Sequence, residues 1–155
     1  MLRFLRKCIL NFRIFCVWLL RQEGTPGERA RGLAVGIFSG CFPLFGFQIV
    51  LGILLSTLVK GNRLLAASGT WISNPMTYLP LFWFNYNVGC FFLGRIPGDN
   101  NYGAINASIL WNKSYLFLIR IFFGSTLVGS ISSLVAGSLF YLVLRYRHGN
   151  NLRRY

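Results

Sequence analysis

Residues 33–59 read LAVGIFSGCFPLFGFQIVLGILLSTLV, 27 residues in a row without a charged side chain. Two further stretches of this kind follow at residues 64–94 and 121–144, which are 31 and 24 residues long. About 20 apolar residues are enough for a helix to cross the roughly 30 Å hydrocarbon core of a bilayer. The core helix of a soluble protein rarely stays apolar on every face over such lengths. The three stretches therefore predict an all-α integral membrane protein.

The placement of charge along the chain favours a membrane protein over a nucleic-acid-binding protein. Only 12% of the residues are charged and 54% are apolar, yet the formal net charge is +13. Seven of the 16 Lys and Arg residues lie in residues 1–31 and four lie in 145–155. Basic residues that flank apolar spans contact anionic headgroups and orient the chain. A nucleic-acid groove would instead place them along a soluble face. We expect membrane lipids as partners, and no nucleic acid.

The chain offers few residues for catalysis or metal binding. Its acids are Glu23, Glu28 and Asp99, and Asp99 is far along the chain from the other two, so a carboxylate pair for acid–base chemistry is hard to assemble. His148 has no ligand partner nearby, and the four cysteines lack the spacing of a metal site. We expect neither an enzyme nor a bound cofactor or metal.

Residues 1–22 predict an amphipathic helix that lies in the membrane interface. At about 100° per residue the basic side chains share one arc and the apolar side chains fill the opposite face. The basic residues expected to bind lipid headgroups are Arg3, Arg6, Lys7 and Arg13. A signal peptide is the competing interpretation, but Arg13 interrupts its apolar region and no small-residue cleavage site follows.

A second helix is predicted to begin at Pro26, with Thr25 as its N-cap and Glu28 completing a capping box. Small residues recur every four positions along this helix and along the last apolar stretch, which allows two helices to approach closely. The two sets are Gly32, Gly36, Gly40 and Ser125, Gly129, Ser133, Gly137. We expect these faces to pack together, or one of them to form the seam of a homodimer.

Prolines interrupt the first two apolar stretches, at Pro43 and at Asn74-Pro75. Asn74 is a favourable N-cap and Pro75 a favourable first residue, so a helix is predicted from Pro75 to Gly94, with a rise of about 30 Å. Broken or re-entrant helices leave backbone groups unpaired, and transporters use such groups to hold solutes or ions. A structural kink is the alternative. The candidate solute-binding residues are Pro43, Gly46, Gln48, Asn74, Pro75 and Thr77.

Charge placement also suggests a topology. Three full crossings would put the basic N-terminus and the basic tail on opposite sides, against the positive-inside rule. A re-entrant hairpin over residues 32–59 keeps Lys60, Arg63 and both termini in the cytoplasm, although a crossing of this segment stays open. The predicted units are the leader 1–22, a membrane domain 25–145 and a basic tail 146–155. Within the domain, residues 25–94 form a core, 95–113 a polar loop and 114–145 the last spanning helix.

An ordered series of landmarks runs from Thr25 to Pro80. It comprises Thr25-Pro26-x-Glu28-x-Ala30-x-Gly32-x-Ala34-x-Gly36-x-Phe38-x-Gly40, then Pro43-x-x-Gly46-x-Gln48, Asn62 and Gly69-Thr70-Trp71-Ile72-Ser73-Asn74-Pro75-x-Thr77-x-x-Pro80. In this order the chain resembles a bacterial membrane family known as domain of unknown function 2062. The resemblance implies a small protein of the bacterial inner membrane without an established activity, and the apolar stretches predict that it is multi-pass.

Two functional hypotheses follow from the sequence. In the first, the protein binds or passes a small solute or ion at the two helix breaks, where Gln48, Asn74 and Thr77 supply hydrogen bonds. The lack of an acid within the apolar stretches argues against a carboxylate proton relay. In the second, the protein is a non-transporting interaction or lipid-organising subunit, whose basic ends hold anionic lipid and whose small-residue faces meet a partner such as another membrane protein.

Overall fold

The described part of the chain is entirely helical in a computed structural model that covers residues 17–44, 46–94 and 107–152, with side chains in the last range described for 114–147. A helical turn at 17–20 precedes five helices, which are α1 Pro26–Gly40, α2 Phe47–Leu58, α3 Arg63–Gly69, α4 Tyr78–Leu93 and α5 Ala107–Leu152. A 3-10 turn, Thr70–Ile72, continues α3. The predicted all-α class is confirmed. Most of the leader, with Arg3, Arg6, Lys7 and Arg13, lies outside the described residues.

Helix α1 begins as the local sequence predicts. The Thr25 hydroxyl accepts from the Glu28 amide at 3.2 Å, and the Glu28 carboxylate accepts from the Thr25 amide at 2.9 Å, which forms the capping box. Pro26 occupies the first turn, where its missing N–H costs no helical hydrogen bond. The helix ends at Gly40, three residues before Pro43. The first apolar stretch is thus divided between two helices.

The first break ends at Gly46, which precedes α2 with a φ of 81°. This left-handed conformation costs little in glycine because glycine has no Cβ. A Cβ at Gly46 would meet no other group within 4 Å, so backbone conformation and not crowding explains the glycine.

The second break is longer than predicted, because α4 begins at Tyr78 and not at Pro75. The Asn74 side-chain oxygen accepts from the amides of Met76 and Thr77 at 3.0 and 3.1 Å. Asn74 therefore caps a turn that comes before the helix proper. The 16 residues of α4 rise about 24 Å, which is shorter than the crossing of about 30 Å expected from the sequence.

Helices α1 and α2 form an antiparallel hairpin whose two ends meet. The Asn62 amide donates to the Glu28 carbonyl at 2.9 Å, and the Arg31 guanidinium donates to the Lys60 carbonyl at 3.1 Å. The start of α1 therefore lies beside the link between α2 and α3. Asn62 also caps α3, because its side-chain oxygen accepts from the Leu65 amide at 3.0 Å.

The glycine face of α1 packs against α3, which corrects the partner expected from the sequence. A Cβ added at Gly32 or Gly36 would collide with backbone atoms of Asn62 or Ala66, respectively. A Cβ at Gly40 would lie 2.8 Å from the Ile72 side chain and 3.1 Å from the backbone of Thr70. These close approaches pair residue 32 with 62, 36 with 66 and 40 with 70. Because both numbers rise together, α1 and α3 run parallel. With this face covered, neither a seam to α5 nor a dimer seam is available on it.

Helix α5 runs antiparallel to both α1 and α4, and it packs α1 along its second half and α4 along its first. Gly129 faces Phe38 and Cys41, and Gly137 faces Ala34. The small residues of α5 therefore contact α1, but on the face opposite to the α1 glycines. In the first half of α5, the backbone of Arg120 is approached by Gly89 of α4.

The bounds of α5 correct two predicted boundaries. Residues 107–113, expected in the polar loop 95–113, are helical, and the helix passes residue 145 and continues to Leu152. The remaining loop residues, 95–106, lie outside the described part of the chain.

Within the described residues, one helical segment, Ser114–Arg147, is long and apolar enough to cross a membrane by length and composition. Of its apolar window, 22% is buried within the protein. The other two charge-free stretches are divided into shorter helices, of which α2 has 12 residues and α4 has 16.

Candidate functional site

The two helix breaks meet at Gln48, in the first turn of α2. Its side chain is buried, with 4% of its surface exposed. The Gln48 amide nitrogen donates to the Tyr78 hydroxyl at 3.2 Å, and its oxygen lies 3.0 Å from the Ser73 hydroxyl. Ser73 belongs to the second break and Tyr78 opens α4. A side chain from one break is thus held by residues of the other.

The Ser73 hydroxyl has a choice of acceptors. It lies 3.0 Å from the Gln48 side-chain oxygen and 3.0 Å from the Thr70 carbonyl, and its single proton can serve one of them at a time. Gln48, Ser73 and Tyr78 are called the junction cluster below. When the Ser73 hydroxyl points to the Thr70 carbonyl, the Gln48 oxygen is available to another donor. No backbone hydrogen bond of the protein has to break for this change.

Asn74 and Thr77 make their hydrogen bonds inside their own turn. The Thr77 hydroxyl accepts from the Asn74 amide at 2.9 Å and donates to the Ile72 carbonyl at 2.7 Å. The Asn74 side chain is exposed and binds the amides described above. These two residues shape the second break, and the structure does not bring them into the junction cluster. Pro43, Gly46 and Pro75 likewise form the breaks through their backbones.

A second buried cluster, which the sequence analysis missed, lies around Asn85 in the middle of α4. Its side chain is fully buried, and its amide nitrogen donates to the Cys41 carbonyl and to the Ser125 hydroxyl, each at 2.9 Å. The Cys41 carbonyl belongs to the first break, so Asn85 satisfies a backbone group that the break releases. Asn85, Ser125 and the Cys41 carbonyl are called the Asn85 cluster below.

The side-chain oxygen of Asn85 is buried and has no hydrogen-bond partner among the described residues. An unpaired buried acceptor costs roughly 1–3 kcal/mol, so such groups are uncommon in native proteins. The Asn85 cluster therefore presents an open acceptor beside the first helix break.

Arg120 is a buried charge that the sequence analysis also missed, because it stands one residue before the charge-free stretch. With 6% of its surface exposed, it donates to the Gly94 carbonyl at 2.8 Å and to the Leu116 carbonyl at 2.9 Å. Gly94 is the C-cap of α4. The guanidinium therefore lies at the negative end of the α4 dipole, where a cation is stabilising.

The side chains of the two clusters offer hydrogen bonding. Among the described residues no group of three or more His, Cys, Asp or Glu side chains could hold a metal ion. The described acids Glu23 and Glu28 lie at the other end of α1 from the breaks. A ligand at the breaks would therefore meet amides, hydroxyls and carbonyls.

One sequence signal could have pointed to Asn85. It is the first of two asparagines in the apolar run 81–94, and a polar side chain in such a run costs free energy unless it is paired. The neighbouring Asn87 gives the same signal, but it is exposed and donates to its own Trp83 carbonyl at 2.7 Å. The sequence could not choose between them without the orientation of α4.

The described residues form an all-helical fold with two interrupted helices around a buried polar centre. The chain belongs to DUF2062, a family of uncharacterized proteins conserved in bacteria, whose family model matches residues 11–153. The predicted membership is confirmed, and the match extends well beyond the landmarks between Thr25 and Pro80. No curated protein matches the chain, and no solved structure does.

Proposed function

We propose that the chain is a multi-pass protein of the bacterial inner membrane that binds and passes a small polar solute at its helix breaks, without enzymatic chemistry. Support for the membrane setting comes from the distribution of burial. The buried polar or charged side chains are Ser39, Gln48, Ser56, Thr70, Ser73, Asn85, Arg120 and Ser125. Large apolar side chains face outward instead, among them Phe47 at 73%, Leu79 at 83% and Phe91 at 83% exposure. Soluble monomers rarely present such extensive apolar surface to water.

The distribution of charge supports a topology with both termini in the cytoplasm. The start of α1, the link between α2 and α3, and residues 144–147 of α5 lie at one end of the bundle. This basic end carries Arg29, Arg31, Lys60, Arg63, Arg145 and Arg147. The positive-inside rule places such an end in the cytoplasm. The α1–α2 hairpin then enters and leaves on that side, as a re-entrant segment.

The solute site is proposed at the two buried clusters, and the single observation that carries it is the unpartnered oxygen of Asn85. The open group is an acceptor, so a matching solute brings an N–H or O–H donor or a cation. Each break joins the C-terminal end of one helix to the N-terminal end of the next, so the open acceptor, and not the helix dipoles, selects for a donor. Transporters also hold substrates at discontinuous helices.

Cysteine labelling tests whether the centre opens to water. Cys41 is 1% exposed and its carbonyl receives the Asn85 amide. In a variant with Cys8, Cys16 and Cys90 changed to serine, a charged water-soluble thiosulfonate should modify Cys41 in intact membrane vesicles, because passage of a solute requires a transient opening. A Cys41 that reacts only after denaturation would favour the non-transporting alternative.

Matched asparagine variants test the site itself. A deletion strain screened against a panel of small polar cations and amines should show an uptake or export defect that the wild-type chain restores. Asn85→Ala should fail to restore it, whereas Asn87→Ala, two residues along the same helix but exposed, should succeed. If both variants restore uptake or export equally at equal levels in the membrane, the proposed site is wrong. That result would favour the hypothesis of a non-transporting interaction subunit.

A further inference from the structure

A cavity of about 680 Å³ opens at the basic end of the bundle, between the end of the leader, the start of α1 and the second half of α5. Its walls are formed by Leu20, Gly24, Thr25, Pro26, Glu28, Arg29, Leu144 and Arg147. It lies at the opposite end of α1 from the helix breaks, so it is separate from the solute site proposed above.

The charges around this cavity are unequal. Two arginines, Arg29 and Arg147, line it together with one acid, Glu28. One Glu28 oxygen is already committed to the α1 capping box. Arg29 donates through one terminal nitrogen to the carbonyls of Leu19 and Leu20, which fixes the guanidinium against the leader. Its Nε is buried and has no hydrogen-bond partner among the described residues.

The depth of the cavity is set by α5. The segment apolar enough to cross a membrane ends at Arg147, and Leu144 is the last residue of its charge-free run. If α5 crosses the bilayer, Leu144 lies at the edge of the hydrocarbon and Arg147 at the level of the headgroups. The cavity then combines arginines at phosphate depth with apolar walls, Leu20 and Leu144, at the depth of the upper acyl chains.

We propose that this cavity binds the phosphodiester of an anionic phospholipid from the cytoplasmic leaflet. Arg29 and Arg147 bind the phosphate oxygens by charge-assisted hydrogen bonds, to which guanidinium groups are well suited. Leu20 and Leu144 contact the lipid below the headgroup. A net negative lipid is favoured over a zwitterionic one because two arginines oppose one glutamate. The proposal rests on the membrane embedding proposed above and is independent of the solute.

Native mass spectrometry of the full chain, purified in detergent and titrated with phosphatidylglycerol or phosphatidylcholine, tests this proposal. Wild type should retain phosphatidylglycerol in preference to phosphatidylcholine. Arg147→Gln should weaken phosphatidylglycerol binding about fivefold, the effect of losing one basic contact with an anionic lipid. Arg145→Gln is the matched control, since Arg145 is also exposed on α5 but does not line the cavity. It should bind like the wild type.

Three outcomes would overturn the lipid site. These are equal retention of both lipids, equal weakening by the two arginine variants, and displacement of phosphatidylglycerol by millimolar glycerol 3-phosphate, which would make the cavity a site for a soluble phosphate compound. None of them depends on Cys41 labelling or on rescue by the asparagine variants. Failure of the lipid site is therefore distinguishable from failure of the proposed solute function.

Discussion

Gly36 illustrates how a single residue fixes the packing of this protein. Its α-carbon faces the Ala66 backbone so closely that any Cβ there would collide with the Ala66 carbonyl. The facing glycine, Gly69, is equally constrained, since its Cβ would lie 2.8 Å from the Leu33 carbonyl oxygen. Backbone atoms cannot rotate away as a side chain can. A side chain at either position would therefore force α1 and α3 apart.

Gly36→Ala should lower the free energy of unfolding by about 1–3 kcal/mol, the usual cost of overpacking, despite the higher helix propensity of alanine. Gly27→Ala is the control on the same helix, because its Cβ would meet only the flexible end of Arg31 at 3.4 Å. Thermal unfolding of the detergent-solubilised variants compares them. A Gly36→Ala protein that melts with the wild type would show that α1 and α3 are not in this contact.

At this scale the sequence predicts what is local. The capping box of Thr25 and Glu28 was predicted, and the structure contains it. It could be predicted because all of its atoms belong to four consecutive residues. Gln48 was selected because it stands beside a proline break, although its partners Ser73 and Tyr78 were not. Asn85 was missed because its burial depends on how α4 is rotated against α5, which no neighbouring residue records.

At the scale of helices, the ends of α4 are held by different means. Its start follows a turn organised by Asn74, and its end is bound by Arg120 from α5 through the Gly94 carbonyl. The start of α4 at Tyr78, three residues after the predicted Pro75, was not foreseen because asparagine favours both a helix N-cap and a local turn. Once the side chain caps the turn, the regular helix begins after it.

Arg120→Met should loosen the last turn of α4. Methionine keeps much of the length of the side chain but cannot donate to the Gly94 carbonyl, so the C-terminal carbonyls of α4 lose their cation. Hydrogen exchange followed by mass spectrometry should then show faster exchange at residues 90–94. Thr126→Val is the control, because the exposed Thr126 hydroxyl donates within α5 to Phe122. Unchanged exchange in Arg120→Met would contradict the proposed anchoring.

At the scale of the whole molecule, the exposed apolar side chains support the membrane setting proposed above. Trp83, in the middle of α4, has 69% of its surface exposed. The helices that carry this apolar surface also enclose the polar side chains of Gln48, Asn85 and Arg120. The three charge-free stretches predict a membrane setting for this surface. They could not predict the α1–α3 partnership, because α1 has small residues on two faces and either one fits a neighbouring helix.

A protein in which Trp83 is the only tryptophan, with Trp18, Trp71 and Trp111 changed to phenylalanine, measures this environment directly. After reconstitution, lipids brominated along their acyl chains should quench its fluorescence, whereas aqueous iodide should have little effect. The reason is that an exposed side chain on a membrane-embedded helix meets lipid and not water. Quenching by iodide without quenching by brominated lipid would place α4 in water and contradict the proposed membrane setting.

The parallel pair of α1 and α3 has a mechanical consequence. Backbone atoms of α1 and α3 approach each other directly at Gly32, Gly36 and Gly69. Because no side chains separate the two helices there, we expect them to move as one rigid unit. Each helix of this pair leads into a proline-containing break, so the two breaks lie side by side at the centre of the molecule. A displacement of this pair would therefore change the positions of both breaks together.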